Sequence, residues 1–205
     1  GIPLAWGIIG GSIIVIVYTS LGGMLAVALT DFIQMVIIVL GLVLLLVVVL
    51  IDVGGWSAVA AQLPEHTFRM VPLEHTMERW LVYLRMWLIF GIGDIVSQSL
   101  LQRAMSAKSE RVAQHSFYLG AIAYIGIAMI PVTLGIIGSV TMPGLANPES
   151  VIPMLALEHL HPVAIAIFVG ALLAAIMSSC DSAILAAATV ISTNLLPLVK
   201  REPSE

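Results

Sequence analysis

The hydrophobic residues of this chain do not alternate with polar ones; they come in long runs separated by short polar stretches. Uncharged runs of about 18 residues or more predict helices that cross a membrane, not strands or surface helices. The clearest is Phe32–Ile51, FIQMVIIVLGLVLLLVVVLI, 20 residues without a charge, whose helical length of about 30 Å matches the hydrocarbon core. Before it, residues 2–18 form a 17-residue apolar run with a Gly10-Gly11 pair suited to close packing or a bend. The Gly22-Gly23 pair in the connection between these runs predicts a chain reversal.

Further along, residues 80–101 predict a third crossing despite Arg85 and Asp94. Trp80, Tyr83 and Trp87 fit an interfacial aromatic belt, and Arg85 can snorkel to that surface. Residues 116–140 predict a fourth crossing, with Pro131 expected to kink it. Residues 163–196 predict a fifth, 34 residues long; at about 51 Å it exceeds the core and must tilt, protrude or break. The expected fold class is all-α, a multi-pass membrane helix bundle of about five transmembrane helices, with residues 1–205 as one partial membrane domain. Residues 52–79 read as a polar loop with room for one interfacial helix, and 102–115 as a short, strongly polar loop. The segment 141–162, with four prolines and both His159 and His161, is expected outside the hydrocarbon.

Alternation of these spans puts Arg103, Lys108, Arg111, Lys200 and Arg201 on one side, and only Arg69 and Arg79 on the other. The first side is therefore expected to be cytoplasmic, in a cell membrane. Composition agrees with a lipid environment: 60% of residues are hydrophobic and 10% charged, against about 25% charged in a soluble domain, and the mean hydropathy is +1.10. The net charge of −4 arises without a basic block, which argues against a nucleic-acid partner. A single cysteine, Cys180, excludes an intrachain disulfide and a thiolate metal site. No cleavable signal is visible at Gly1, and the abrupt start and end predict a segment of a longer chain.

One stretch breaks the apolar pattern in a way that needs a reason. Inside the fifth run, Ala175, Ser178, Ser179 and Ser182 are spaced i, i+3, i+4 and i+7 and fall on one helical stripe. Hydroxyls at membrane depth are costly unless they meet a partner or a polar path. Such a stripe can offer oxygens to a hard cation. Alternatively, its serines bond back to the preceding turn or pack small against small. Asp31, with Gln34 three residues on, has two readings as well: a capping box, or a carboxylate that draws cations to an inner vestibule. Ser97, Gln98, Ser99 and Gln102 suit a helix that lines a cavity or unwinds there, or one that bonds to a neighbouring helix.

Enzyme chemistry finds no constellation. Gly91-Ile92-Gly93-Asp94 resembles a string in intramembrane aspartyl proteases, but the Tyr-Asp pair that carries the second intramembrane aspartate of those enzymes, and their Pro-Ala-Leu run, are missing. A lone carboxyl cannot share acid and base roles. All five histidines fall in expected loops, which leaves the serine stripe without a base.

Three strings, YTSLGGMLAVALTDFIQ at 18–34, LLQRAMSAKSERVAQ at 100–114 and AAIMSSCDSAILAAATVIS at 174–192, resemble in order and separation the sodium:solute symporter family. The third is nearest to choline-, proline- and pantothenate-transporter-like members. The resemblance implies a partial inverted-repeat fold of the leucine-transporter type, with sodium and a small organic solute bound near midplane. It implies a sodium site at the Ala175 carbonyl and the Ser178 and Ser179 hydroxyls, an inner ion route at Asp31, and a substrate cavity lined by Ser97 and Gln98. The spans correspond to the fourth through eighth core helices, so the first core helix, which completes both sites in the family, is not among them. Ser97 also lacks the aromatic ring that several members place near that position, which leaves the solute open. The expected function is sodium-coupled solute transport; the alternative is a membrane solute-sensing module attached to a signalling protein.

Overall fold

The computed structural model describes residues 3–95 and 97–195. The expected span ends at Ile2 and Leu196, and the tail 197–205, lie outside the described residues. Among the described residues every regular element is helical, as long apolar runs dictate where backbone groups must satisfy one another without water.

Helix α1, Leu4–Asp52, is 49 residues long, about 74 Å if straight and more than twice the hydrocarbon core. It is not straight. Gly23 breaks it with φ 54° and ψ −142°, a left-handed backbone that side chains disfavour and glycine adopts without penalty. Both arms, 4–22 and 24–52, reach helix α8, Pro162–Val190: Tyr18 bonds to Asp181 and Ser178 to Asp31. In a straight rod Tyr18 and Asp31 would stand about 20 Å apart, whereas their partners on α8 are separated by about 4.5 Å. The chain therefore turns back at Gly23, which narrows the expected connection 19–30 to a single non-helical residue. This also removes the capping box. Winding resumes at residue 24, so Asp31 and Gln34 lie inside the second arm and cap nothing.

After α1 come α2, Trp56–Ala60, and α3, Met77–Trp87. The expected crossing 80–101 is divided. Helix α3 passes into a π-helical turn, Leu88–Ile92, then α4, Gly93–Ile95; the backbone is extended at Ser97 before α5, Gln98–Met105. Helix α6, Glu110–Thr141, is capped by Ser109 and runs through Pro131. A 3-10 turn, Pro148–Ser150, leads to α7, Val151–His159, and α8 ends in a π-helical turn, Ile191–Leu195. Among the described residues, three helical stretches are long and apolar enough to cross a membrane: Ala5–Asp52, Glu110–Thr141 and Pro162–Leu195. The first has length for two passes.

The core lies at one end of the α1–α8 pair. Leu45 and Val49 of α1 and Phe168 of α8 are buried together with Val59, Leu134, Ile137, Leu155, Ala156 and Leu160. Gly41 brings α1 close to α8: a Cβ built on it would stand 2.8 Å from that of Ala171, the small-residue approach by which membrane helices pack. Most other large apolar side chains are exposed, among them Trp6, Leu21, Phe90 and Ile122, as expected of surfaces that face lipid or further helices.

Candidate ion site

Polar groups gather at the opposite end of the same helix pair. Asp31, on the second arm of α1, has its side chain 16% exposed. Its Oδ1 accepts the Ser178 hydroxyl at 2.6 Å. Its Oδ2 receives Nη2 of Arg103, from α5, at 2.5 Å. The same Nη2 donates to Ser182 Oγ at 2.7 Å, so one guanidinium ties α1, α5 and α8 together. Between Ser178 and Ser182, on the α8 face toward the first arm of α1, the fully buried Asp181 accepts the Tyr18 hydroxyl on Oδ1. Asp181 Oδ2 has no partner among the described residues, nor have Thr19 Oγ1, Gln34 Oε1 and Gln102 Nε2.

Helical spacing explains this convergence. Residues 178 and 182 lie four apart and 181 three beyond 178, so all three occupy adjoining positions on α8. On α5, Ser99, Gln102 and Arg103 repeat that spacing and line a narrow crevice with Met24, Val27, Ser182 and Leu185. The result is a set of hydroxyl and carboxylate oxygens, the donor type that suits a hard cation, balanced by one fixed positive charge.

The residues singled out from the sequence divide into three groups. Ser178 and Asp31 are in direct contact. Ser179 is exposed and donates to the Ala175 carbonyl at 3.2 Å, the back-bond to the preceding turn that competes with ion ligation; α8 is regularly helical there, so that carbonyl is not freed by unwinding. Ser97 and Gln98 stand at the break that starts α5, with Ser97 extended and Gln98 exposed, and neither bonds to the Asp31 cluster. The side chain of Asp94 lies outside the described residues.

Comparison with known proteins gives this geometry a lineage. The family model described as "Sodium:solute symporter family" matches residues 1–205. The chain belongs to the sodium:solute symporter family. Among curated relatives, the sodium/proline symporter of Staphylococcus aureus, and those of its strains JH9 and Newman, are 28% identical over 212 residues. Those alignments take in 98% of this chain and 40% of each relative, so the chain spans about two fifths of the symporters it matches. No solved structure was found to match it significantly.

Within this segment, the sequence pattern brought out Asp31 and the serines but passed over three side chains beside them: Arg103, which bonds to Asp31 and Ser182, and the Tyr18–Asp181 pair. Arg103 counted only as a loop charge, Tyr18 as the end of an apolar run, and Asp181 not at all. A signal existed for two of them. Asp181 is a carboxylate within an otherwise apolar helix, and Arg103 continues the Ser99–Gln102 face by one position.

Proposed function

We propose that this chain is part of a cell-membrane, multi-pass carrier that couples inward movement of sodium to uptake of a small organic solute by alternating access. The single observation that supports this most is the Ser178–Asp31 contact. It joins the serine stripe of α8 to a carboxylate on the facing arm, so two polar features that are each expensive in a membrane explain one another. Sodium, as cargo, is held at the Ala175 carbonyl and the Ser178 and Ser179 hydroxyls, which requires Ser179 to exchange its back-bond for the ion. Asp31 receives the ion on its way to the inner side. Ser97 and Gln98, at the loosened start of α5, line the solute cavity, where free backbone groups can meet a polar ligand.

Coupling needs sodium to bind one state of the carrier better than the other, since a ligand that binds both equally shifts neither. Sodium on the serine stripe favours the outward-open arrangement; its departure past Asp31 lets the inner side open. A carrier, unlike an enzyme, needs no base beside Ser178.

The test is uptake by the complete parent protein in proteoliposomes. Proline comes first in the solute panel, because the matched relatives are named sodium/proline symporters. An inward sodium gradient is expected to accelerate uptake of one panel member at least tenfold, and Ser178→Ala to raise the sodium concentration for half-activation about tenfold. Uptake indifferent to sodium would overturn the reading.

A further inference from the structure

Resting on that sodium-carrier reading, we infer that Arg103 is a tethered cation that competes with sodium for Asp31 and Ser182, and that its return to these oxygens expels the ion inward. The observation is the double contact of one Nη2 with Asp31 Oδ2 at 2.5 Å and Ser182 Oγ at 2.7 Å, while Ser178 occupies the other Asp31 oxygen at 2.6 Å. Both carboxylate oxygens are thus engaged by donors. Each oxygen keeps a second lone pair, so the obstacle to a sodium ion at Asp31 is not a shortage of acceptor sites but the positive charge of Arg103 already 2.5 Å away.

Electrostatics makes the exclusion strong. A guanidinium and a sodium ion on one carboxylate would lie within a few ångströms of each other in surroundings of low dielectric, where like charges repel far more than in water. The second carboxylate nearby, Asp181, is turned to the Tyr18 hydroxyl and pairs with no cation among the described residues. One cation at a time therefore balances Asp31. Exposure decides which partner moves: the Arg103 side chain is 45% exposed against 16% for Asp31, so the guanidinium can withdraw into water while the carboxylate stays. Arg103 is carried on an eight-residue helix joined to α4 through extended backbone at Ser97, so α5 can shift as a unit without breaking its own hydrogen bonds. When sodium holds Asp31, Arg103 stands off; when Arg103 swings back, the ion leaves and the three helices are locked without it.

The experiment measures equilibrium binding and release of radioactive sodium by the purified full-length parent and by Arg103→Gln, Arg103→Met and Arg103→Lys. The two neutral variants are expected to bind sodium about tenfold more tightly than the parent and to release it correspondingly slowly, since affinity changes at one site fall mainly on the off-rate. Arg103→Lys keeps the charge and is expected within twofold of the parent. Tighter binding is the diagnostic sign, because a residue that only holds helices together weakens the site when removed. Either folded neutral variant with unchanged or weaker sodium binding overturns the competition, as does a lysine variant that behaves like the neutral ones. Absence of saturable sodium binding in the parent sinks the carrier reading and this inference together, whereas an intact parent with indifferent variants sinks the inference alone.

Discussion

The two ends of the α1–α8 pair are built on opposite principles. At one end Leu45, Val49 and Phe168 are buried among apolar neighbours from α2, α6 and α7. At the other, Asp31, Ser178, Asp181, Ser182 and Arg103 are held by directional bonds. Apolar packing fixes shape through many weak contacts and offers no group that a ligand could replace. A polar contact is exchangeable, since water or an ion can take over either partner at a small net difference in free energy. A pair that is dry at one end and polar at the other can hold its register while its polar end opens. On the carrier reading proposed above, the packed end serves as a pivot and the polar end as the place where the ion binds.

The largest expected effect attacks the pivot. Phe168→Ala removes a fully buried ring at the centre of the packed end and should lower stability by about 3 kcal/mol, the low end of the range for such truncations, since apolar surface in a bilayer gains little from leaving water. Unfolding in detergent measures this, with sodium half-saturation unchanged in the folded fraction. Gly41→Val comes next at about 2 kcal/mol, because its Cβ would meet a Cβ fixed to the α8 backbone and the helices must separate. Asp31→Asn reverses the pattern. It should weaken sodium activation of uptake at least tenfold, equivalent to about 1.4 kcal/mol, with little loss of stability because the half-exposed Arg103 can turn to water. Stability and sodium affinity moving together in all three variants would erase the distinction between the ends.

How much of this was legible in the sequence follows the same division. Residues 32–51 declare themselves as a membrane-length helix, because twenty uncharged apolar residues have few alternatives. The serine stripe declares itself because hydroxyls are out of place there. What could not be read is whatever depends on two segments meeting. Tyr18 looks like the end of an apolar run until the chain turns back at Gly23 and lays it against Asp181. Arg103 looks like a loop charge until α5 is seen to extend to Met105 and carry it onto Asp31. Asp31 resembles a cap residue because Gly22-Gly23 marks a turn without saying how soon the next helix begins; winding resumes eight residues earlier than the capping pattern requires. Periodicity gives the face a residue occupies, but not the element that face will meet.

The smallest prediction tests whether polarity alone makes a functional end. The packed end has its own polar side-chain contact, His159 Nδ1 to Asp52 Oδ2 at 3.0 Å, with the Asp52 side chain 47% exposed. It lies where α1 stops, past Val49 on that helix and beside the buried Leu160, and no serine or second carboxylate bonds to it among the described residues. A contact of this kind with a half-exposed carboxylate, whether hydrogen bond or ion pair, contributes between nothing and about 1 kcal/mol. Asp52→Asn should therefore shift stability by less than that and leave sodium half-activation where it was. The reason is geometric: with only one carboxylate and one imidazole, the contact offers too few oxygens to hold a hard cation, and helices locked by Leu45, Val49 and Phe168 cannot part to admit one. Should Asp52→Asn shift sodium activation as far as Asp31→Asn does, the ion's path would run the length of the pair, and the packed end could not be a pivot.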